Sequence, residues 1–162
     1  MKTPWFVMRT KSDQFWMSTA IELAKQAGER GEIPVGAVLI LDDKIIGRGR
    51  NQSIELNDPT AHAEIQALRE GGSKIGNYRL SGSKIYVTIE PCIMCFGALV
   101  HARIEKLVFG AKEPKSGAFT SASEISRRNS FNHRFNVLDG ILEDECSQLM
   151  TNFFQARRNV QR

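Results

Sequence analysis

The chain has 162 residues, 41% hydrophobic and 25% charged, which suits a single globular domain of ordinary core size. No apolar run approaches the ~20 residues needed to cross a bilayer, and the opening MKTPWFVMRTKSDQFW holds no continuous apolar signal region, so the expected setting is the cytosol, with no membrane partner. Residues 101–134 carry seven basic and three acidic side chains, an excess equal to the net charge of +4 for the whole chain, which hints at nucleic acid but also describes a solvated basic face.

Ser12 reads as an N-cap. The apolar positions Phe15, Trp16, Ala20, Leu23, Ala24 and Ala27 then follow helical spacing until Gly28 or Gly31. GAVLILDDKIIGRGRN reads as a hairpin turning at Asp42 and Asp43. TAHAEIQALREGG predicts a second helix stopped by its two glycines, and KIYVTIE, β-branched and aromatic, predicts a strand. Pro91 suits the first turn of a helix through CIMCFGALVHAR. KLVFGA is a further strand, residues 112–134 read as loop with a short helix, and RFNVLDG is a last strand. A closing helix, about 143–158, puts Cys146, Leu149, Met150 and Phe153 on one face. A hairpin followed by alternating helices and strands implies an α/β domain over residues 1–162. Its expected form is a three-layer α/β/α sandwich around a mixed five-stranded sheet.

Two of the three cysteines lie in EPCIMC, at positions 92 and 95. Cytosolic thiols stay reduced, so a disulfide framework is a poor reading. At i and i+3 on a helix the two thiols are neighbours, and the helix N-terminus lowers their pKa. Taken alone, the pair fits a redox couple or a metal clamp equally well. TAHAE tips this toward metal. His62 and Glu64 stand at the start of another helix, where both can reach a site ahead of its end. One imidazole and two thiolates around zinc leave a fourth position open, as in catalytic sites, and a carboxylate that ligates nothing can move protons. A closed structural site with Cys146 as fourth ligand is the competing arrangement. Cys146, however, lies on the apolar face of the last helix, where cysteine behaves as a small buried hydrophobe.

H-x-E at 62–64 and P-C-x-x-C at 91–95, with a strand between, match the signature of zinc nucleobase deaminases. DPTAHAEIQALREGG, NYRL, IYVTIEPCIMCFGALVHARIEKLVFGAKEPKSGA and the C-terminal FNHRF…GILEDECSQLMTNFFQARR extend the likeness from about Asp13 onward. Together they resemble the bacterial tRNA-specific adenosine deaminases. The resemblance implies a cytidine-deaminase-like fold, a homodimer, and one zinc per chain held by His62, Cys92 and Cys95. It further implies Glu64 as proton shuttle and hydrolysis of the wobble adenosine of an arginine tRNA to inosine. It makes Asn51 a base contact, Pro34, Val35 and Ile89 apolar pocket positions, and Ala63 a backbone contact from the helix start. Glu113 stands where the family usually has aspartate, at an expected ribose contact. Arg157 and Arg158 match a C-terminal helix whose arginines look like RNA backbone contacts. Lys112, Lys115, Arg127 and Arg128 are phosphate candidates from the basic segment. The alternative is a zinc deaminase of a free base or nucleotide (cytosine, guanine or deoxycytidylate); a structural zinc module that only binds RNA would leave Glu64 without a role.

Overall fold

Ser12 starts the first helix in the computed structural model, which describes residues 11–119, 125–127 and 130–161. Its Oγ accepts from the Phe15 amide at 3.1 Å, satisfying one of the unpaired donors at the start of α1 (Asp13–Glu29). The buried face of α1 is Trp16, Met17, Ala20, Ile21, Ala24 and Ala27. Phe15, expected in that stripe, is instead exposed and packs edge-on against Trp16. The hairpin of β1 (Gly36–Leu41) and β2 (Lys44–Arg50) turns as expected at Asp42 and Asp43, whose φ of 49° and 58° suit a two-residue turn matched to strand twist.

There follow α2 (Ala63–Ile75), β3 (Lys84–Ile89), α3 (Ile93–Ala102), β4 (Lys106–Ala111), a 3-10 turn Ile125–Arg127, β5 (Asn136–Leu138) and α4 (Glu143–Val160). Two boundaries differ from expectation. α2 runs through Gly71 and Gly72 and stops at Gly76, whose φ of 73° is the left-handed cap. Gly71 is small for packing: a Cβ there would lie 2.5 Å from the Leu39 side chain. Pro91 also falls outside α3, because Cys92 is the N-cap.

The sheet order is β2-β1-β3-β4-β5, antiparallel among the first three strands and parallel among the last three. Strand alternation sends Ala37, Leu39, Ile85, Val87, Leu107 and Phe109 to one face, against Ala63 and Ala67 of α2 and Leu99 and Ala102 of α3. Val38, Ile40, Tyr86 and Val108 face the other way, onto Trp16, Met17, Ala20 and Ile21 of α1 and Cys146 of α4. The three-layer α/β/α sandwich with a mixed five-stranded sheet is therefore the fold. No helix among the described residues is long and apolar enough to cross a membrane.

Two glycines fix α2 in place. A Cβ on Gly49 would lie 1.9 Å from the Ala63 carbonyl oxygen, and one on Gly47 would lie 2.1 Å from that of Ala67. The helix backbone thus rests directly on β2. The pairing of Gly36 with Arg50 and of Ile89 with Ala111 brings the start of β1 and the ends of β2, β3 and β4 to one end of the sheet. The N-termini of α2 and α3 open at that same end.

Candidate metal centre and active site

His62 is the N-cap of α2 and Cys92 the N-cap of α3, and neither side chain makes a capping hydrogen bond. Both are thereby left to the space between the helices. His62 Nδ1 lies 3.7 Å from Cys92 Sγ and 3.6 Å from Cys95 Sγ, and the three donor atoms fall within 4.8 Å of one another. A tetrahedral zinc at ~2.3 Å from sulfur and ~2.0 Å from nitrogen would hold such atoms about 3.5 Å apart. The donor set fits that ion in kind and in spacing.

The electrostatics agree. The Cys92 thiol is pulled down to about 4 by hydrogen bonding to the Cys95 thiol and then to His62. Its partner Cys95 is pushed up by the same hydrogen bond and by burial, and His62 is raised by its bond to Cys92. The three groups share protons that a cation would displace. Cys146 does not join them. It is buried in the α1/α4 layer, against Gly110, and burial raises its thiol to about 12. Among the described residues the group has three members, which leaves the open position of a catalytic rather than a closed site.

Glu64, the second residue of α2, is 3% exposed, and burial lifts its carboxyl to about 7. It faces a cavity of about 540 Å³ that also meets His62 and Cys92. Val35 and Ile89 supply apolar wall, and Asn51 supplies an amide whose Oδ1 accepts from the Ala63 N–H at 2.9 Å. That bond commits the amide oxygen and leaves the NH2 as a donor.

The structure separates the remaining sequence candidates. Lys112, Glu113, Lys115 and Arg158 line the cavity; Pro34, Ala63, Arg127 and Arg157 do not. Ala63 is wholly buried, its N–H on Asn51 and its carbonyl against Gly49. The Glu113 Oε1 accepts from the Lys115 amide at 2.9 Å, and Lys112 pairs with Asp139 at 3.7 Å. Arg157 donates to the Gly31 carbonyl at 3.1 Å and stacks over Phe153. Arg127 is exposed at the end of its 3-10 turn, and Arg128 lies outside the described residues. Sequence reasoning missed two groups of residues. Met150, Thr151 and Phe154 of α4 close one side of the cavity. Glu32 and Glu90, both buried, each accept two backbone amides of a nearby loop.

Residues 10–111 match the model of the cytidine and deoxycytidylate deaminase zinc-binding region. The tRNA-specific adenosine deaminase of Haemophilus influenzae is 52% identical over 152 residues, covering 93% of this chain and 88% of that one. The chain belongs to the tRNA-specific adenosine deaminase family. Its Bacillus subtilis relative, of the same description, is 42% identical over 90% of this chain and 91% of its own length. A solved structure from a study of A-to-I editing by tRNA:A34 deaminases at the wobble position matches with a TM-score of 0.81 and 43% identity, over 83% of this chain and 98% of that one. A guanine deaminase from Nitrosomonas europaea superposes with a TM-score of 0.74 at 20% identity over 94% of this chain and 93% of that one, a likeness of fold.

Proposed function

We propose that this chain hydrolyses the wobble adenosine in the anticodon loop of a tRNA to inosine, an arginine tRNA by its resemblance. The observation that carries the reading is the buried carboxyl of Glu64, which faces the cavity that His62 and Cys92 also line and stands outside the His62, Cys92 and Cys95 group. The relatives' names support the choice of adenosine in tRNA.

The reaction adds water at C6 of the purine and releases ammonia. One zinc per chain, held by His62, Cys92 and Cys95, would supply Lewis acidity toward water. Glu64 accepts a proton from the attacking water and passes it to ring N1, then takes the proton of the new C6 hydroxyl and delivers it to the leaving amine. A carboxyl that ligates no metal and faces the cavity can take up and release a proton in turn. In this reading the Asn51 NH2, its Oδ1 being engaged by the Ala63 amide, donates to an acceptor on the base edge, and Val35 and Ile89 of the cavity wall meet its faces. Lys112, Lys115 and Arg158 at the rim carry positive charge for flanking phosphates. A base inside a helix cannot enter such a cavity, so the substrate adenosine must be loop-exposed and turned out. In the same reading the enzyme works in the cytoplasm as a homodimer.

The test is incubation of the purified protein with bulk bacterial tRNA, followed by nucleoside analysis for inosine. Inosine at position 34, with free adenosine left essentially untouched, is the expected result. Comparable turnover of free adenosine or cytosine would replace this reading with that of a small-molecule deaminase.

A further inference from the structure

Glu90 follows β3 directly and precedes the ligand Cys92 by two residues, yet it is 2% exposed and is not a member of the metal-ligating group. Each of its two oxygens accepts from one loop. Oε2 accepts from the Glu113 amide and Oε1 from the Phe119 amide, each at 2.9 Å. The carboxylate therefore holds both ends of residues 113–119, and Glu113 to Ser116 of this stretch, with Lys112 just before it, form one wall of the cavity. The rest of the stretch is laced to the same segment. The Ala118 amide donates to the Pro91 carbonyl at 3.0 Å, and Cys92 forms a bridge with Gly117. Gly117 sits on the carboxylate so closely that a Cβ there would lie 2.4 Å from Glu90 Cδ and 2.5 Å from the Glu113 carbonyl oxygen.

A buried carboxylate needs compensation for lost hydration, and these two amide bonds contribute to it. The partners could have been anywhere. Here they are the ends of the loop facing α4 across the substrate cavity, joined to the segment that carries a metal ligand. We propose that Glu90 is a positioning residue: it sets the distance between the 112–116 wall and the metal centre, and so fixes how the wall meets the substrate's ribose and phosphates. The proposal takes its substrate from the reading above, but its structural part stands on the loop alone. Glu90 also borders the cavity, but both of its oxygens face the loop amides, so its effect is expected on substrate binding more than on proton transfer.

Glu90→Gln keeps the shape and sets an NH2 against one of the two amides, donor facing donor. Amide exchange at Glu113 or Phe119, followed by NMR on the zinc-loaded full chain, should then accelerate about tenfold, the order expected for one charge-assisted bond. KM for an anticodon stem-loop should rise about tenfold while kcat stays within about threefold and zinc content stays unchanged. Gly117→Ala, which keeps the carboxylate and displaces the loop from it, should move KM in the same direction and carries the test if Glu90→Gln fails to fold. Wild-type exchange at both amides together with wild-type KM in the folded variant would overturn the proposal. So would loss of zinc with a matching fall in kcat, because Glu90 would then serve the metal centre. If the wild type fails to deaminate the stem-loop, the substrate reading falls, and amide exchange alone still decides the role of Glu90.

Discussion

Gly49→Ala adds one methyl group at a residue that does not line the cavity and should lower activity about 10²-fold. The added Cβ would lie 1.9 Å from the Ala63 carbonyl oxygen and 2.7 Å from the Ala67 nitrogen, both backbone atoms that cannot rotate away. Restoring an ordinary carbon–oxygen contact of ~3.3 Å requires α2 and β2 to part by more than an ångström. Ala63 stands between His62 and Glu64, so that shift goes straight into both side chains. Overpacking of this kind costs about 1–3 kcal/mol of stability, and a 1 Å misplacement at a reacting centre costs about 10²-fold in rate. Gly72→Ala is the control. It too is in α2, but its Cβ would meet only the Asn77 carbonyl oxygen at 3.5 Å, an ordinary contact. That variant should gain up to about 1 kcal/mol from helix propensity. Thermal melts, zinc content and single-turnover deamination of an anticodon stem-loop measure the pair. A Gly49→Ala enzyme with wild-type zinc content and rate would refute the claim that glycine contact sets the position of α2.

In the metal-free protein, Glu64 is raised from 4.5 to about 7 by burial, so its stabilising neutral form is fully present below pH 4.5 and is lost as pH rises through 7. Chelated Glu64→Gln should therefore exceed chelated wild type in stability by about 3 kcal/mol at pH 8 and match it near pH 4; equal denaturation midpoints at both pH values would contradict the burial argument. Cys146, with its thiol raised to about 12, should resist alkylation at pH 8 by about 10³-fold relative to a free thiol, and mass spectrometry of chelated protein should find Cys92 labelled first. Arg158→Ala should lower the salt slope of RNA binding by about one unit, whereas Arg157→Ala should leave it unchanged, because that guanidinium is engaged with Gly31 and Phe153; equal loss of slope in both would assign Arg157 to phosphate as well.

The parts of this molecule that could be read from the sequence are those whose cause is local. Ser12, the Asp42–Asp43 turn and the strand alternation act over a few residues, and all appear as expected. His62, Glu64, Cys92 and Cys95 stood out through the deaminase signature they match, and the structure gathers His62, Cys92 and Cys95 into one group with Glu64 on the same cavity. What could not be read depends on partners distant in the chain. Gly71 looks like a helix stop until Leu39 is seen to occupy its side. Glu90 and Glu32 look like surface acids until the loops they hold fold over them. Arg157 and Arg158 are neighbours of one type, and only the docking of α4 sends one to Gly31 and the other to the cavity. Ala63 was expected to offer its backbone to a base, but its N–H goes to Asn51 and its carbonyl to the glycine surface of β2.

The central claim is that Glu64 does the proton chemistry beside a metal it does not hold. Glu64→Ala, purified with zinc, should retain one ion per chain and bind an anticodon stem-loop to within a few-fold of wild type. Its single-turnover formation of inosine should fall by about 10²–10⁴ or more. A variant that keeps its zinc and its RNA affinity and still makes inosine at near the wild-type rate would contradict the account.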